Sequence, residues 1–363
     1  RYDVALGINT LGVKYVLNFA KSCIKLPTYQ PVTYVCGDGG LILEDPCQMG
    51  VSLNGVSGLD IDMEKKIVEN KLYELRQEGA TENDVKMAMK DLGIERAIEY
   101  GWPNTYVFTK AMGEMFVETL KENMSVVIVR PTVVTGTYRE PFPGWVEGVR
   151  TVDSFFMAYS KGKLACYPAN NNAIVDTIPA DMVVNAIITS MVAHAIIKGN
   201  KVFLSTTSNN TITITYITMN EFKHTSFLLD RILKRFSRLF GLNTNFTFLF
   251  QFIKRFRNKI KCHHSFNRIQ GLELVNAVFF RYFQGTYHDI KRKIHSMMRL
   301  VDLYKPYLSF NGVFDNMNIE KLQIAASQGG VEMDLFYFDP KMIEWDDYFT
   351  NVHIPGVVKC VLK

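Results

Sequence analysis

The sequence predicts an α/β protein in which a doubly wound parallel sheet is followed by a mainly helical carboxyl-terminal domain. Two short apolar runs support the sheet: "PVTYVCG" at 31–37, and "MSVVIVRP" at 124–131, which follows a helical segment and ends at a loop. Helices alternating with such Val/Ile runs are typical of a parallel sheet covered on both faces. After Gly271, aromatic-rich segments with helical spacing predict the second domain.

The length and composition indicate more than one domain. A chain of 363 residues with 47% hydrophobic and 21% charged residues can bury a large core and exceeds the usual size of one domain. We predict a sheet domain at 1–208, a basic connecting segment at 209–268 and a helical domain at 269–363. The apolar run at 182–197 contains polar residues, so it predicts a buried helix and not a membrane span.

The cysteines and the amino end bear on the setting of the protein. The 6 cysteines show no CxxC pair and no metal-ligand spacing, which favours reduced thiols, an intracellular location and no metal site. The chain starts at Arg1 and passes at once into a helical pattern over 4–20, interrupted near Gly12. We expect that the natural amino terminus is missing from this sequence.

Glycines and one aspartate give local expectations. In the charged helical stretch at 60–100, Gly79 and Gly93 are predicted to end helices, and Asp181 is predicted to cap the helix that it opens. "GDGG" at 37–40 is predicted to be a turn, because Leu41 and its neighbours do not continue as a helix. The sequence therefore offers no glycine-rich phosphate-binding turn.

Tyr106 and Lys110, in "GWPNTYVFTKAMGE" at 101–114, are the strongest candidate pair for catalysis. Residues four apart share one helix face, and Asn104 or Thr105 is predicted to cap this helix. A tyrosine has a pKa of about 10, which a nearby cation lowers, so the phenol becomes a credible acid for an oxygen that has received a hydride. A tyrosine and a lysine also occur four residues apart by chance on exposed helices. The strands next to this helix favour a ligand-binding site, because α/β sheets bind ligands at the carboxyl ends of their strands.

Long motifs extend on both sides of this pair and continue to the carboxyl end. They are "INTLGVKYVLNFAK", "VIVRPTVVTGTYREPFPGWVEG", "IPADMVVNAI", "GLELVNAVFFRYFQGTY", "RLVDLYKPYLSFNGVFD" and "EMDLFYFDPKMIEWDDYFTNVHIPGVVK". Together they resemble the plant alcohol-forming fatty acyl-CoA reductases, members of the extended short-chain dehydrogenase/reductase superfamily. The resemblance implies a Rossmann-like sheet, truncated at its start, and the carboxyl-terminal domain of those reductases.

The resemblance also implies a reaction in lipid biosynthesis. NADPH would reduce a long-chain acyl-CoA to an aldehyde with release of CoA, and a second NADPH would reduce the aldehyde to a primary fatty alcohol. Tyr106 matches the acid of the family, and Lys110 matches the residue that holds the nicotinamide ribose and tunes the phenol.

Further residues match positions around the cofactor. Arg130, Pro131 and Thr132 match the segment whose backbone borders the nicotinamide, and Asn9 matches an asparagine that supports the site from a neighbouring helix. Each also has a simpler interpretation, since Asn9 can bridge two helices and Pro131 can end a strand.

Two departures from the family pattern leave its activity open. The first is the missing glycine-rich turn. The second is the strand at 31–37, where Pro31 and Val32 stand in place of the family's Ser and Thr, so that Thr33 supplies the catalytic hydroxyl only if one residue is deleted. The alternatives are a catalytically impaired member of the family, or an extended short-chain dehydrogenase that acts on a nucleotide sugar.

The net charge of +5 comes from one segment, 223–268, which is rich in Lys and Arg and contains a single acid, Asp230. Its amphipathic "LLDRILKRFSRLF" predicts a helix whose basic face is exposed to solvent. In the alternative interpretations this basic face binds an anionic membrane surface or the CoA phosphates. Nucleic acid is not expected, because a short basic stretch outside a recognised fold is weak evidence. Long-chain substrates suggest peripheral association with the endoplasmic reticulum membrane, and the sequence identifies no obligate protein partner.

Overall fold

The computed structural model describes residues 1–23, 31–32, 40–149, 153–154, 157, 176–196, 212–217 and 312–361. Within these residues, every strand pairing is parallel. The pairs are β1 (Gly40–Ile42) with β6 (Gly312–Phe314), β2 (Val126–Pro131) with β5 (Ile212–Ile217), and β3 (Val133–Thr135) with β4 (Thr177–Pro179). The predicted α/β class with a parallel sheet is confirmed.

Helices make up most of the remaining described chain. They are α1 (Tyr2–Ala5), a π-helix (Leu6–Leu11), α2 (Gly12–Ser22), α3 (Ile61–Gln77), α4 (Glu82–Glu99), α5 (Thr105–Leu120), α6 (Ala180–Ile196), α7 (Met317–Gln328), a 3₁₀-helix (Pro340–Met342), α8 (Trp345–Asp347), a second π-helix (Tyr348–His353) and α9 (Ile354–Val361). The interruption predicted near Gly12 is the first π-helix. Among the described helices, none is long and apolar enough to cross a membrane.

β2 is the central strand around which the site is built. All of its residues are buried, as expected for a parallel strand with both faces covered. It pairs with β5 along its whole length, and Val129 bridges to Val32 on its other side. Pro31 has no N–H for this ladder, but its carbonyl accepts a hydrogen bond of 3.0 Å from the Val129 N–H. The strand predicted from "MSVVIVRP" is therefore confirmed.

Side-chain caps fix where the three long helices begin. The Asp60 carboxylate accepts from the first-turn N–H groups of α3, and Thr81 and Asp84 form a reciprocal capping box on α4. At α5, the Asn104 side chain accepts a hydrogen bond of 3.0 Å from the Val107 N–H. This confirms Asn104 as one of the two predicted caps.

The two glycines expected to end helices behave differently. Gly79 follows the end of α3 with φ +68°, a backbone conformation that favours glycine. The prediction that Gly79 ends a helix is therefore confirmed. The prediction for Gly93 is wrong, because Gly93 lies inside α4. A Cβ at this position would lie 2.8 Å from Thr105 and 2.8 Å from Tyr2, so the missing side chain lets α4 pack closely against α1 and the start of α5.

The stretch at 37–40 is described only at Gly40, which begins β1 with φ +78°. Leu41 and Ile42 continue as a strand that pairs with Val313 and Phe314. Gly40 therefore opens a strand and not a helix, and the other residues of the predicted turn lie outside the described residues.

The chain divides into two compact units. Unit 1 comprises Arg1–Glu140, Asp176–Glu221 and Asn311–Ile343, and unit 2 comprises Pro141–Val175, Phe222–Phe310 and Glu344–Lys363. All described strands and α1–α7 belong to unit 1, where α7 packs against β5 and α6. The limits at 208/209 and 268/269 in the sequence analysis stay predictions.

Unit 2 is held by its own buried contacts. The His353 ring nitrogen Nε2 lies 2.8 Å from an Asp153 carboxylate oxygen, and His353 is fully buried against Tyr348 and Phe349. Trp345 packs edge-on against Tyr348. Aromatic packing around one buried polar pair therefore defines the described core of this unit.

Candidate active site

α5 brings Tyr106 and Lys110 together. Tyr106 lies in the first turn after the Asn104 cap, and Lys110 lies one turn later. The Lys110 ammonium nitrogen is 5.9 Å from the centroid of the Tyr106 ring. Tyr106 is 48% exposed, whereas most of α5 is buried, so this pair forms an accessible part of an otherwise enclosed helix.

Burial controls the protonation of both groups. It raises the pKa of Tyr106, because the phenolate loses hydration, and it lowers the pKa of Lys110, because the ammonium loses hydration. The Glu114 carboxylate opposes the effect on Lys110. Spacing alone predicts that Lys110 lowers the pKa of Tyr106, but in the structure burial dominates. The phenol is therefore a protonated donor near neutral pH.

Asn9 reaches α5 between these two residues. Its amide nitrogen Nδ2 donates to the Thr109 hydroxyl at 3.0 Å, and that hydroxyl donates to the Tyr106 carbonyl at 3.0 Å. The neighbouring Thr10 hydroxyl donates to the Thr109 carbonyl at 2.7 Å. Asn9 and Thr10 both lie in the first π-helix, and both side chains bond to Thr109 of α5. A direct contact of Asn9 with the cofactor stays a prediction.

Gly113 permits this close packing of helices. A Cβ at Gly113 would lie 2.5 Å from the Asn9 carbonyl oxygen and 3.3 Å from Val13. Real Cβ atoms do not approach backbone oxygen so closely, so any side chain at position 113 must push α5 and the π-helix apart.

We expect Gly113→Ala to lower the free energy of unfolding by about 1–3 kcal/mol, because a methyl group at this position pushes α5 away from the first π-helix. Urea denaturation measures the effect. The matched control is Gly7→Ala, another helical glycine with open space around its Cβ position. The control should be neutral or up to about 1 kcal/mol more stable. Equal stability of both variants would contradict the close approach.

The Arg130 side chain lies inside the protein. Its guanidinium forms a two-point ion pair with Glu114, with Nε 2.9 Å from Oε1, and it also donates to the Asp45 carbonyl at 2.9 Å. Arg130 is 2% exposed and Glu114 is 1% exposed. The guanidinium is therefore engaged inside the protein, and the predicted contact of the Arg130 backbone with the nicotinamide stays a prediction.

Pro131 and Thr132 lie where β2 ends, at the edge of the sheet where α/β proteins bind ligands. Pro131 pairs with Ile217 of β5, and the buried Thr132 hydroxyl lies 3.3 Å from an Asp176 carboxylate oxygen. Their contact with the nicotinamide stays a prediction. Thr33, the predicted catalytic hydroxyl, lies outside the described residues.

Known proteins match this chain along its length. Two family models described as "Male sterility protein" match it, an NAD-binding one over residues 1–187 and a second over residues 270–363. "Alcohol-forming fatty acyl-CoA reductase" of Simmondsia chinensis is 48% identical, over 100% of this chain and 74% of the relative. "Fatty acyl-CoA reductase 1" of Arabidopsis thaliana is 42% identical over the same shares. The chain belongs to the fatty acyl-CoA reductase family.

More distant relatives belong to the same family. "Fatty acyl-CoA reductase 2" of Homo sapiens is 27% identical, over 72% of this chain and 48% of the relative. The resemblance found from the sequence motifs is therefore confirmed, and with it an oxidoreductase lineage. Because the first family model is an NAD-binding one, this reductase family member has a domain for a nicotinamide dinucleotide.

Asp181 has a different role in this reductase family member from the one predicted. Its carboxylate accepts hydrogen bonds from the backbone N–H groups of residues 138–140, at 2.8, 2.7 and 3.1 Å, and from the Tyr337 hydroxyl. The prediction that it caps its own helix is wrong, because these donors from other segments occupy its oxygens. The Arg139 guanidinium lies 4.5 Å from the centroid of the Tyr337 ring, which further fixes this loop.

Sequence reasoning missed the contacts of Thr109 and Glu114 on α5, next to the candidate pair, and those of Asp181 with the 138–140 loop and Tyr337. Glu114 lies four residues after Lys110, so the spacing that identified the Tyr-Lys pair also places it on their face. Thr109 and Asp181 carry no such signal, because their partners are distant in the sequence.

Proposed function

We propose that this protein reduces a long-chain fatty acyl-CoA to a primary fatty alcohol through an aldehyde, with NADPH as the reductant and release of CoA. The observation that carries the proposal is the Tyr106–Lys110 pair on α5 in a chain that is 48% identical to a relative named as an alcohol-forming fatty acyl-CoA reductase. The reaction is transferred from the names of relatives, and the pair supplies the proton chemistry that such a reduction requires.

The polar groups of the pair fit a nicotinamide dinucleotide and a carbonyl substrate. Within the described residues, neither the Lys110 ammonium nor the Tyr106 hydroxyl has a hydrogen-bond partner. An ammonium offers three donors, which suit the hydroxyls of a ribose, and a protonated phenol suits a carbonyl oxygen. A bound NADPH would supply the hydride for both reductions.

Tyr106 donates a proton to the substrate oxygen. In the first reduction, hydride would add to the thioester carbon and the oxygen would take the phenolic proton, which gives a hemithioacetal. The C–S bond would then break as the hydroxyl proton passes to sulfur, so that the aldehyde forms and CoA leaves as its thiol, and Tyr106 would regain a proton from solvent before the second reduction. In the second, hydride adds to the aldehyde carbon and the oxygen takes the phenolic proton. The raised pKa of Tyr106 keeps that proton in place until the oxygen becomes basic.

The remaining predicted residues complete the site in this proposal. Lys110 holds the ribose and compensates the developing phenolate. The backbone at Arg130, Pro131 and Thr132 borders the nicotinamide at the end of β2, Asn9 supports α5, and Thr33 polarises the substrate carbonyl. Arg130 is bound to Glu114, so its guanidinium takes no part in ligand binding.

We also propose that the protein works at the surface of the endoplasmic reticulum membrane. Long acyl chains and fatty alcohols partition into bilayers, and 223–268 is rich in Lys and Arg, which attract anionic headgroups. Fractionation at low ionic strength of cells that express the full-length protein tests this: we expect recovery with the membranes and release by high salt, and recovery in the soluble fraction before any salt wash would contradict it.

Product analysis tests the proposed reaction. The full-length protein is incubated with long-chain acyl-CoA and NADPH, and we expect fatty alcohol and free CoA with two NADPH consumed per alcohol. NADH in place of NADPH tests the cofactor. Binding of NADPH without any alcohol would indicate an impaired member of the family. Oxidation or reduction of a nucleotide sugar, with none of acyl-CoA, would replace the proposal.

A further inference from the structure

Asp181 anchors the loop that follows β3. Its carboxylate, which is buried at the start of α6, accepts hydrogen bonds from the backbone N–H groups of residues 138–140 at 2.8, 2.7 and 3.1 Å. Hydrogen bonds to a carboxylate are stronger than those between neutral groups, and together these hold the loop backbone in one conformation. The backbone that carries the Arg139 side chain is therefore fixed from α6.

Tyr337 provides the surface on which the Arg139 side chain rests. The Tyr337 hydroxyl donates to Asp181, and the Tyr337 carbonyl accepts a hydrogen bond of 2.9 Å from the Asn185 side chain, so two residues of α6 hold this tyrosine. The Arg139 guanidinium carbon lies 4.5 Å from the centroid of the Tyr337 ring and 5.4 Å from that of Tyr138. Both distances are within the range in which a cation is attracted to an aromatic face. The guanidinium is therefore held in place as well as its backbone.

The Arg139 guanidinium keeps its hydrogen-bond donors available. Within the part of the chain that the structure describes, none of its side-chain N–H groups has a hydrogen-bond or ion-pair partner. Arg139 is exposed, whereas Tyr337 beneath it is 4% exposed. The guanidinium groups of Arg96 and Arg130, in contrast, are bound to carboxylates. Arg139 is thus an immobilised cation whose five N–H donors remain open to an anionic ligand.

The loop lies at the carboxyl ends of two neighbouring strands. Thr132 alone separates β2 from β3, so the strand that ends at the predicted nicotinamide position leads directly into β3 and then into the 138–140 loop. β3 pairs in parallel with β4, which runs into α6, so Arg139 and Asp181 follow the same ends of paired strands. Open α/β sheets bind their ligands at these ends. The available cation is therefore on the ligand-binding side of the sheet.

We propose that Arg139 binds a phosphate group of a nucleotide ligand at the carboxyl ends of β3 and β4, and that Asp181 and Tyr337 position it for this task. The inference rests on the proposed function, because the two ligands of that reaction, acyl-CoA and NADPH, both carry phosphates. A guanidinium presents paired N–H donors that match two oxygens of one phosphate group. Because its loop and its ring contacts are already fixed, Arg139 loses little conformational freedom when the phosphate binds.

Arg139→Gln tests this in the full-length protein, because it removes the charge and the paired donors at an exposed position. Isothermal titration calorimetry with CoA alone, and separately with NADPH alone, measures both affinities without turnover. We expect the Kd of one ligand to rise roughly tenfold, and its dependence on salt concentration to become weaker, since one charge fewer is screened. A rise for CoA only assigns the phosphate to the acyl-CoA substrate, and a rise for NADPH only assigns it to the cofactor. A rise for both ligands or for neither overturns the proposal.

Arg76→Gln is the matched control, because Arg76 is also an exposed arginine, in the last turn of α3. It should leave both Kd values unchanged, and an equal rise in this variant would reflect the net charge of the protein and overturn the proposal. Arg139→Lys keeps the charge without the paired donors and should show an intermediate Kd. A wild type that forms no alcohol but binds CoA or NADPH through Arg139 would reject the proposed function and leave the phosphate site standing.

Discussion

Tyr106→Phe is expected to reduce alcohol formation by roughly 10²–10⁴-fold while the affinity for NADPH stays unchanged. The substitution removes one hydroxyl from the exposed first turn of α5 and leaves the ring, so the helix and the position of Lys110 are preserved. Without the phenolic proton, the oxygen that receives hydride must take its proton from water. Gas chromatography of the alcohol and fluorescence titration with NADPH measure the two quantities.

The control for this substitution is Tyr15→Phe. Tyr15 is an exposed tyrosine on α2. Its substitution removes the same hydroxyl group at a position away from Tyr106 and Lys110. It should keep both turnover and NADPH binding. Wild-type turnover in Tyr106→Phe would remove Tyr106 from the mechanism, and a parallel loss of NADPH binding would assign it to the cofactor instead.

Arg130→Met is expected to lower the free energy of unfolding by about 3–5 kcal/mol, the largest effect on stability that we predict. Methionine fills much of the same space, but it leaves the Glu114 carboxylate charged, buried and without its two-point partner. The Asp45 carbonyl also loses a donor, which loosens the loop between β1 and α3. Urea denaturation followed by circular dichroism measures the loss.

The double variant Glu114→Met/Arg130→Met separates charge from packing. Apolar side chains of similar volume often replace a buried ion pair without loss, so we expect the double variant to recover most of the stability that Arg130→Met loses. A double variant as unstable as the single one would mean that packing around the guanidinium, and not the stranded carboxylate, causes the loss.

The sequence predicted those parts of the fold that local chemistry determines. Asn104 could be identified as a cap because the side-chain oxygen that accepts and the Val107 N–H that donates lie only three residues apart in the sequence. β2 could be identified because a strand that is buried on both faces consists of consecutive apolar residues. The family could be identified because its motifs are long.

The parts that the sequence did not predict depend on contacts between distant residues. Gly93 has the local signal of a helix end, but the close approach of Thr105 and Tyr2 decides its use. Asp181 has the local signal of a cap, but Tyr337 and the 138–140 loop occupy its oxygens. In the site, the spacing of Tyr106 and Lys110 was visible, whereas burial, which sets their pKa values, depends on the assembled fold.

The pairing of β1 with β6 has a consequence for how the protein is made. Gly40 lies opposite Gly312, so β1 leaves the ribosome long before its partner strand exists. At a synthesis rate of about 5–20 residues per second, β1 waits roughly 15–50 s with its backbone N–H and C=O groups unpaired on that side. Nascent chains of this protein should therefore depend on chaperones until residues 312–314 have left the ribosome.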